Sequence, residues 1–408
     1  MRLFQGAGWI LMLRMVLGGG RWGSPLSFAA LHAFGLGFVS LAILSVLVHI
    51  LPAACNIPLG EKLADRGPLA GAILGAILVV TGFGLSNFRY SLAGALFIFG
   101  AILFYSVKIL LELVRGRKKR DEGSAFLGFM ILGSTLFLLF GISTAIVMVH
   151  AFVFPPAPAY FPILPPVHAI LMIGGWLSLM VTAVFSRTSG PLLGHSVSPG
   201  NMRVSWGIMA LGLCIGVFGL LFRIRGLWIP GFGTAVFALL LYNGWLLVFI
   251  IKRHPFNPAP RRYLISSHFY SLLGGIMLII FVFWPNVLSE MGIFLVLVLG
   301  WLGQFLLAHI YHLGPRLLSI LRQGPGDLTP PFALLDKSRT RITFLLYQTG
   351  IGVSSCGIMF RGHLPEWIVI TGPVAGLAAW ISLSIEARKA FIKAGETSSR
   401  QRLITPAG

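Results

Sequence analysis

The chain is 408 residues long, 56% hydrophobic and 10% charged, with a mean hydropathy of +0.89, against roughly 25% charged residues in an ordinary soluble domain. These values exclude a water-soluble globule, and three widely spaced cysteines, Cys55, Cys214 and Cys356, argue against a disulfide framework. The formal charge of +20 would point to nucleic acid in a soluble protein; in a membrane protein it first asks which loops carry the Lys and Arg.

A spanning helix needs about 20 mainly apolar residues. Runs of that kind between charged or Pro/Gly-rich breaks predict an all-α membrane protein of twelve spans, near residues 4–20, 28–52, 69–87, 90–115, 125–154, 162–186, 204–222, 226–251, 264–284, 290–314, 341–360 and 365–386. The first run is short and interrupted by Arg14, with no small-residue cleavage site after it, and reads as a weak first helix rather than a signal peptide. With a cytoplasmic N-terminus, 24 of the 31 basic residues fall on the cytoplasmic side and five outside: Arg21, Arg89, Arg223, Arg225 and Arg361. That asymmetry predicts an N-in, C-in, multi-pass protein of a prokaryotic cytoplasmic membrane, forming a single polytopic domain with a cytoplasmic tail over 387–408. It also accounts for most of the positive charge, so the partner is the lipid bilayer and nucleic acid is not needed.

Acids are sparse. Only Glu112 falls well inside a predicted span; Glu386 is assigned to a cytoplasmic end and Glu290 and Glu366 to outer ends. Ion-coupled transporters usually keep an ionisable group at mid-membrane, and that reading loses weight.

Self-comparison shows a repeat. Gly37-Phe38 in the second span, Gly175-Trp176 in the sixth and Gly300-Trp301 in the tenth are alike, and the residue eleven after the aromatic is His49 in the second and His312 in the tenth. Segments recurring every four spans predict a threefold pseudo-repeat of four helices, with 28–52, 162–186 and 290–314 as equivalent members. At a rise of about 1.5 Å per residue, the intramembrane histidines fall into two layers. His32, His150 and His168 form the outer layer; His49, His268, His309 and His312 form the inner one. An imidazole in hydrocarbon is costly unless it is hydrogen-bonded or holds a metal, so these residues are the functional candidates.

On these features the sequence resembles the haem-copper oxidase subunit I superfamily, which includes the nitric oxide reductases, and the NnrS haem- and copper-containing membrane proteins. The resemblance rests on the twelve spans, the four-helix period, and histidines followed within two turns by glycine and an aromatic. The stretch 168–193, with Ser186-Arg187-Thr188-Ser189-Gly190-Pro191, is most similar to NnrS; the His49-Ile-Leu-Pro and His312-Leu-Gly-Pro-Arg endings are closer to the oxidases. The resemblance implies that His32 matches a low-spin haem ligand and His168 a copper ligand. The seventh span lacks the adjacent histidines expected there, the tenth reads Phe294-Leu-Val-Leu-Val-Leu where a His-x-His pair is expected, and Met172 stands for the expected tyrosine. The usual oxygen-reducing centre is therefore not expected.

The reading that follows is a haem-binding redox protein in respiratory electron transfer or nitric oxide handling, an oxidoreductase if it is an enzyme. His49 and His312, with His309 on the same helical face as His312, are expected to hold a b-type haem near the inner surface. His32 and His168, with His150 in the same layer, are expected to serve a second, outer haem or copper. A quinone or cytochrome and other membrane subunits are the expected partners. The alternatives are a structural or sensory subunit without redox chemistry, and a transporter. The loop over 324–331 has turn composition and specifies no partner.

Overall fold

A computed structural model of the chain describes residues 2–18, 23–57, 63–116, 121–194, 198–252, 258–284, 287–323, 334–360 and 363–404. The turn-rich loop 324–331 and the loop histidines His195 and His254 lie outside the described residues.

Among the described residues every element is a helix, as suits hydrocarbon: without water to bond stray N–H and C=O groups, only structures that satisfy their own backbone can cross. We number them α1 (Arg2–Leu17), α2 (25–55), α3 (Leu63–Gly84), α4 (Phe88–Arg115), α5 (Glu122–Val153), α6 (161–193), α7 (Pro199–Leu221), α8 (Arg225–Lys252), α9 (Pro258–Phe283), α10 (290–323), α11 (Lys337–Met359) and α12 (Glu366–Ile404). Eleven of them, α2 to α12, are long and apolar enough to cross a membrane. The first, at 16 residues, is about 24 Å long. Two of the ends differ from the sequence expectation. Helix α10 runs through Pro315 to Gln323, and α12 continues to Ile404, so most of the expected tail 387–408 is helix.

The starts are set by capping. Asp121 caps α5, and hydrogen bonds from the Ser124 hydroxyl (2.6 Å) and amide (2.9 Å) hold its carboxyl below the usual carboxylate range. Asp336 caps α11 in the same way, lowered by the amides of Arg339 (3.2 Å) and Ser338 (2.9 Å).

Three helices lie inside. Most residues of the apolar windows of α2 (67%), α6 (67%) and α10 (89%) are buried, against 33–44% for the other eight spans. A helix apolar all round belongs in an interior, and α10, reading Phe294-Leu-Val-Leu-Val-Leu, is the clearest case. Among the remaining helices, α3 packs on α4, α4 on α5, α7 on α8, α8 on α9, α9 on α11 and α11 on α12, and α12 closes on α1. Trp380 of α12 donates its indole N–H to the Arg2 carbonyl at 2.7 Å at that closure.

After each inner helix comes a tightly apposed hairpin: α3–α4, α7–α8 and α11–α12. Lipid is as apolar as leucine, so helices here associate through close packing and polar contacts. The hairpins approach at glycine. A Cβ on Gly75 would lie 2.6 Å from the Gly94 carbonyl oxygen, on Gly212 2.8 Å from that of Gly231, and on Gly350 2.8 Å from the Gly376 Cα. Backbone meets backbone, and no larger residue fits.

Each inner helix also contains a π-helical stretch: Ala33–Ser40, Ile170–Ser178 and Val296–Gly303. A π-turn shifts the carbonyl ladder by one residue, and hydroxyls supply donors to it. Ser40 donates to the Gly35 carbonyl (2.8 Å), Ser178 to that of Ile173 (2.6 Å), and Ser267 of α9 to that of Trp301 (2.8 Å). The aromatics of the Gly-aromatic pairs, Phe38, Trp176 and Trp301, sit in these stretches fully buried. Trp176 donates its indole N–H to the Ser40 hydroxyl at 3.1 Å, joining α6 to α2.

Candidate functional site

The π-turns are where the histidines gather. His32 closes the opening α-helical turns of α2, and His168 stands two residues before the π-stretch of α6. The two rings, 136 residues apart in sequence, come to 6.4 Å between centroids at 21° between planes. His32 Nδ1 lies 2.8 Å from the Phe28 carbonyl, and His168 Nδ1 lies 2.8 Å from the Gly141 carbonyl of α5. A carbonyl only accepts, so each Nδ1 carries the proton and donates it. Each Nε2 is then left with a free lone pair, the arrangement that second-shell carbonyls impose on metal-binding histidines.

Aromatic rings cover this pair. Phe83 stacks on His32 at 4.9 Å and contacts Phe88 at 5.9 Å, which in turn stacks on Phe152 at 4.9 Å. Met172 lies one turn below His168 on the same face, against Gly141: a Cβ there would meet its sulfur at 2.8 Å. Glycine at 141 lets α5 and α6 come close enough for the His168 bond.

On the other side of the membrane domain, His309 and His268 are both buried, at 5% and 1% exposure. His309 donates through Nδ1 to the Phe305 carbonyl (2.8 Å), and its Nε2 lies 2.8 Å from the Thr188 hydroxyl of α6. Asn243 of α8 donates its amide to the Leu239 carbonyl (2.8 Å), which orients its Oδ1 as acceptor for His268 Nδ1 at 2.6 Å. The Nε2 of His268 is buried with no hydrogen-bond partner among the described residues, a condition that costs about 1–3 kcal/mol. Phe185 stands between the two histidines, 6.0 Å from the ring of His268 and 6.4 Å from that of His309.

The other sequence candidates are placed differently. His312 is half-buried on α10, one turn beyond His309; His49 is exposed on α2; His150 is exposed at the end of α5 with its ring 4.8 Å from Phe154. Thus His32 and His168 are brought ring against ring, while His150 and His49 point away from the interior. Among the described residues no group of three or more His, Cys, Asp or Glu is arranged to hold a metal ion. Any metal at the outer pair would take its other ligands from elsewhere.

Between the three inner helices lies a small apolar cavity, about 30 Å³, lined in part by Ile43 and Val46 of α2, Val181 and Val184 of α6, and Leu306 and His309 of α10. Sequence reasoning missed two polar groups near these helices. Asn243, inside an otherwise apolar run, was the available signal for the His268 pairing. Glu386, assigned to a cytoplasmic end, is instead 5% exposed and buried among α10, α11 and α12.

The fold and its polar interior define an all-α, multi-span integral membrane protein. No protein-family model matches the chain, and no curated protein sequence is similar to it.

Proposed function

We propose that the protein is a haem- or copper-binding redox protein of the membrane, resembling haem-copper oxidase subunit I and the NnrS proteins. In this reading it serves respiratory electron transfer or nitric oxide handling, without the usual oxygen-reducing centre. The observation that carries it is the His32–His168 pair. Two imidazoles bound through Nε2 on opposite sides of one metal, with bonds of about 2 Å and ring radii of about 1 Å, have centroids about 6 Å apart; the observed separation is 6.4 Å. The donor set fits haem iron or copper, both of which accept imidazole.

When bound, such a centre supplies one-electron chemistry. The chain's own residues do the rest. The Phe28 and Gly141 carbonyls fix the tautomers and aim the rings, and Phe83 stacks on His32. On the inner side, support for a b-type haem between His49 and His312 is weak, because His49 is exposed. His268 is the better inner donor, since its Nδ1 is held by Asn243 and its buried Nε2 is unpartnered.

We also infer the threefold pseudo-repeat and the N-in, C-in orientation. Counted from Phe38, Trp176 and Trp301, the residues five positions on are Ile43, Val181 and Leu306, and eight on are Val46, Val184 and His309. All six line the cavity between the inner helices, as an axis of pseudo-symmetry requires. The orientation is supported by the basic loops.

The test is a pyridine haemochrome spectrum with elemental analysis of the full-length protein purified in mild detergent, beside His32→Ala and His168→Ala. Haem or copper in the wild type, lost or halved in both variants, is expected. A wild type free of haem, copper and iron refutes the proposal, as does content that neither variant changes.

A further inference from the structure

The membrane domain contains a buried carboxyl that the metal reading does not use. Glu386 lies on α12 at the end of the apolar run 365–386, just before Arg388 and Lys389, yet it is buried at 5% exposure. Its Oε2 accepts from the Tyr311 hydroxyl of α10 at 2.9 Å, and its Oε1 from the Thr343 hydroxyl of α11. Thr343 also bonds to the Ser382 hydroxyl of α12 at 2.7 Å, where either oxygen can donate.

The polar groups continue inward. Tyr263 of α9, 1% exposed, stacks on Tyr311 at 5.2 Å and 16°, and its buried hydroxyl interacts with that of Tyr311. Tyr347 of α11 meets Tyr263 edge-on at 6.5 Å. One residue further, Gln348 and Gln304 exchange amide hydrogen bonds of 2.6 and 3.3 Å beside the π-stretch of α10. In a chain with 56% hydrophobic residues, this column of carboxyl, hydroxyl and amide groups joins four neighbouring helices.

We propose that Glu386 is a proton-exchange site whose protonation is coupled to the hydroxyls of Tyr311, Thr343 and Tyr263. The hydrogen bonds support two states. With a carboxylate, Tyr311 and Thr343 both donate to it, and Ser382 donates to Thr343. With a proton on Glu386, the carboxyl donates to one of these hydroxyls, which must turn its own hydrogen elsewhere. For Thr343 that partner is Ser382; for Tyr311 it is the neighbouring Tyr263 hydroxyl. One proton binds at the carboxyl and leaves from it, the neighbouring O–H bonds turn in response, and no electrons move. The titratable and charged groups that face this site are Tyr311 from α10, Tyr263 from α9, Asp336 and Arg339 at the start of α11, and Arg2 of α1 beside Tyr311.

The test is pH-jump infrared difference spectroscopy on the full-length protein in lipid nanodiscs, comparing Glu386→Gln, Glu386→Asp and Tyr311→Phe. A paired carboxyl and carboxylate signal is expected in the wild type, lost in Glu386→Gln and shifted in Glu386→Asp. Tyr311→Phe should shift its frequency and slow its appearance by about tenfold or more. A Glu386→Gln protein that does not fold leaves Glu386→Asp and Tyr311→Phe to decide. A signal absent from the wild type, or unmoved in frequency and rate by those two variants, overturns the proposal and leaves Glu386 a structural clasp. The readout is independent of haem and metal content, so its failure is distinct from that of the metal reading.

Discussion

Asn243→Leu probes the inner histidine directly. In the wild type, Asn243 is fully buried and supplies the hydrogen bond that satisfies His268 Nδ1–H at 2.6 Å, while His268 Nε2 is already unpartnered. Replacing the amide by the like-branched but bulkier isobutyl group removes the acceptor and strands the second ring nitrogen. Leaving a buried donor unpaired costs about 1–3 kcal/mol, although polar pairs between membrane helices average nearer 0.6 kcal/mol by double-mutant cycle. We expect a loss of about 1–2 kcal/mol, read as a lower midpoint for unfolding in mixed detergent and SDS micelles. Removing both partners leaves no orphan, so Asn243→Leu with His268→Leu should recover most of that loss. A neutral single variant, or a double variant whose losses simply add, refutes the assignment of the Asn243–His268 bond.

Gly212→Ala puts a methyl 2.8 Å from both the Gly231 carbonyl oxygen and the Ala235 amide nitrogen; overpacking should cost about 1–3 kcal/mol in the same unfolding assay. Trp176→Phe removes the indole bond to Ser40 between α6 and α2 and should cost about 0.5–1.5 kcal/mol by that measure. The capping carboxyl of Asp336 has a folded-state value below its unfolded one, so its contribution is complete above about pH 4 and is lost as the pH falls through the lower folded value. The protection of the Ser338 and Arg339 amides, as exchange relative to the intrinsic rate at the same pH, should therefore fall on acidification, and Asp336→Asn should abolish that fall. An unaltered acid response in the variant contradicts the cap.

Depth along the membrane was legible in the sequence; direction around each helix was not. Apolar runs located the spans because hydrocarbon leaves no other solution for the backbone, and counting at 1.5 Å per residue set His32 and His168 at one level. The structure brings those two together. The same counting set His49 level with His312, yet His49 is exposed, because level says nothing about which face meets the bundle. Glu386 was missed for a related reason. A carboxyl near a span end reads as solvated, and only the neighbouring hydroxyls of Tyr311 and Thr343, on other helices, reveal it as buried. The π-stretches lie on the Gly-aromatic pairs that marked the repeat, but composition does not distinguish a π-turn from an α-turn. What exposes them is the pattern of hydroxyls reaching carbonyls, such as Ser40 to Gly35 and Ser178 to Ile173.

The central claim is that His32 and His168 share a metal centre through their Nε2 atoms. X-ray absorption at the edge of the bound metal, on full-length protein purified in mild detergent, tests it most directly. The account predicts imidazole scattering from two nitrogen ligands at about 2 Å, reduced to one in His168→Ala and in His32→Ala. A metal edge without imidazole scattering, or with scattering that neither variant changes, would contradict it.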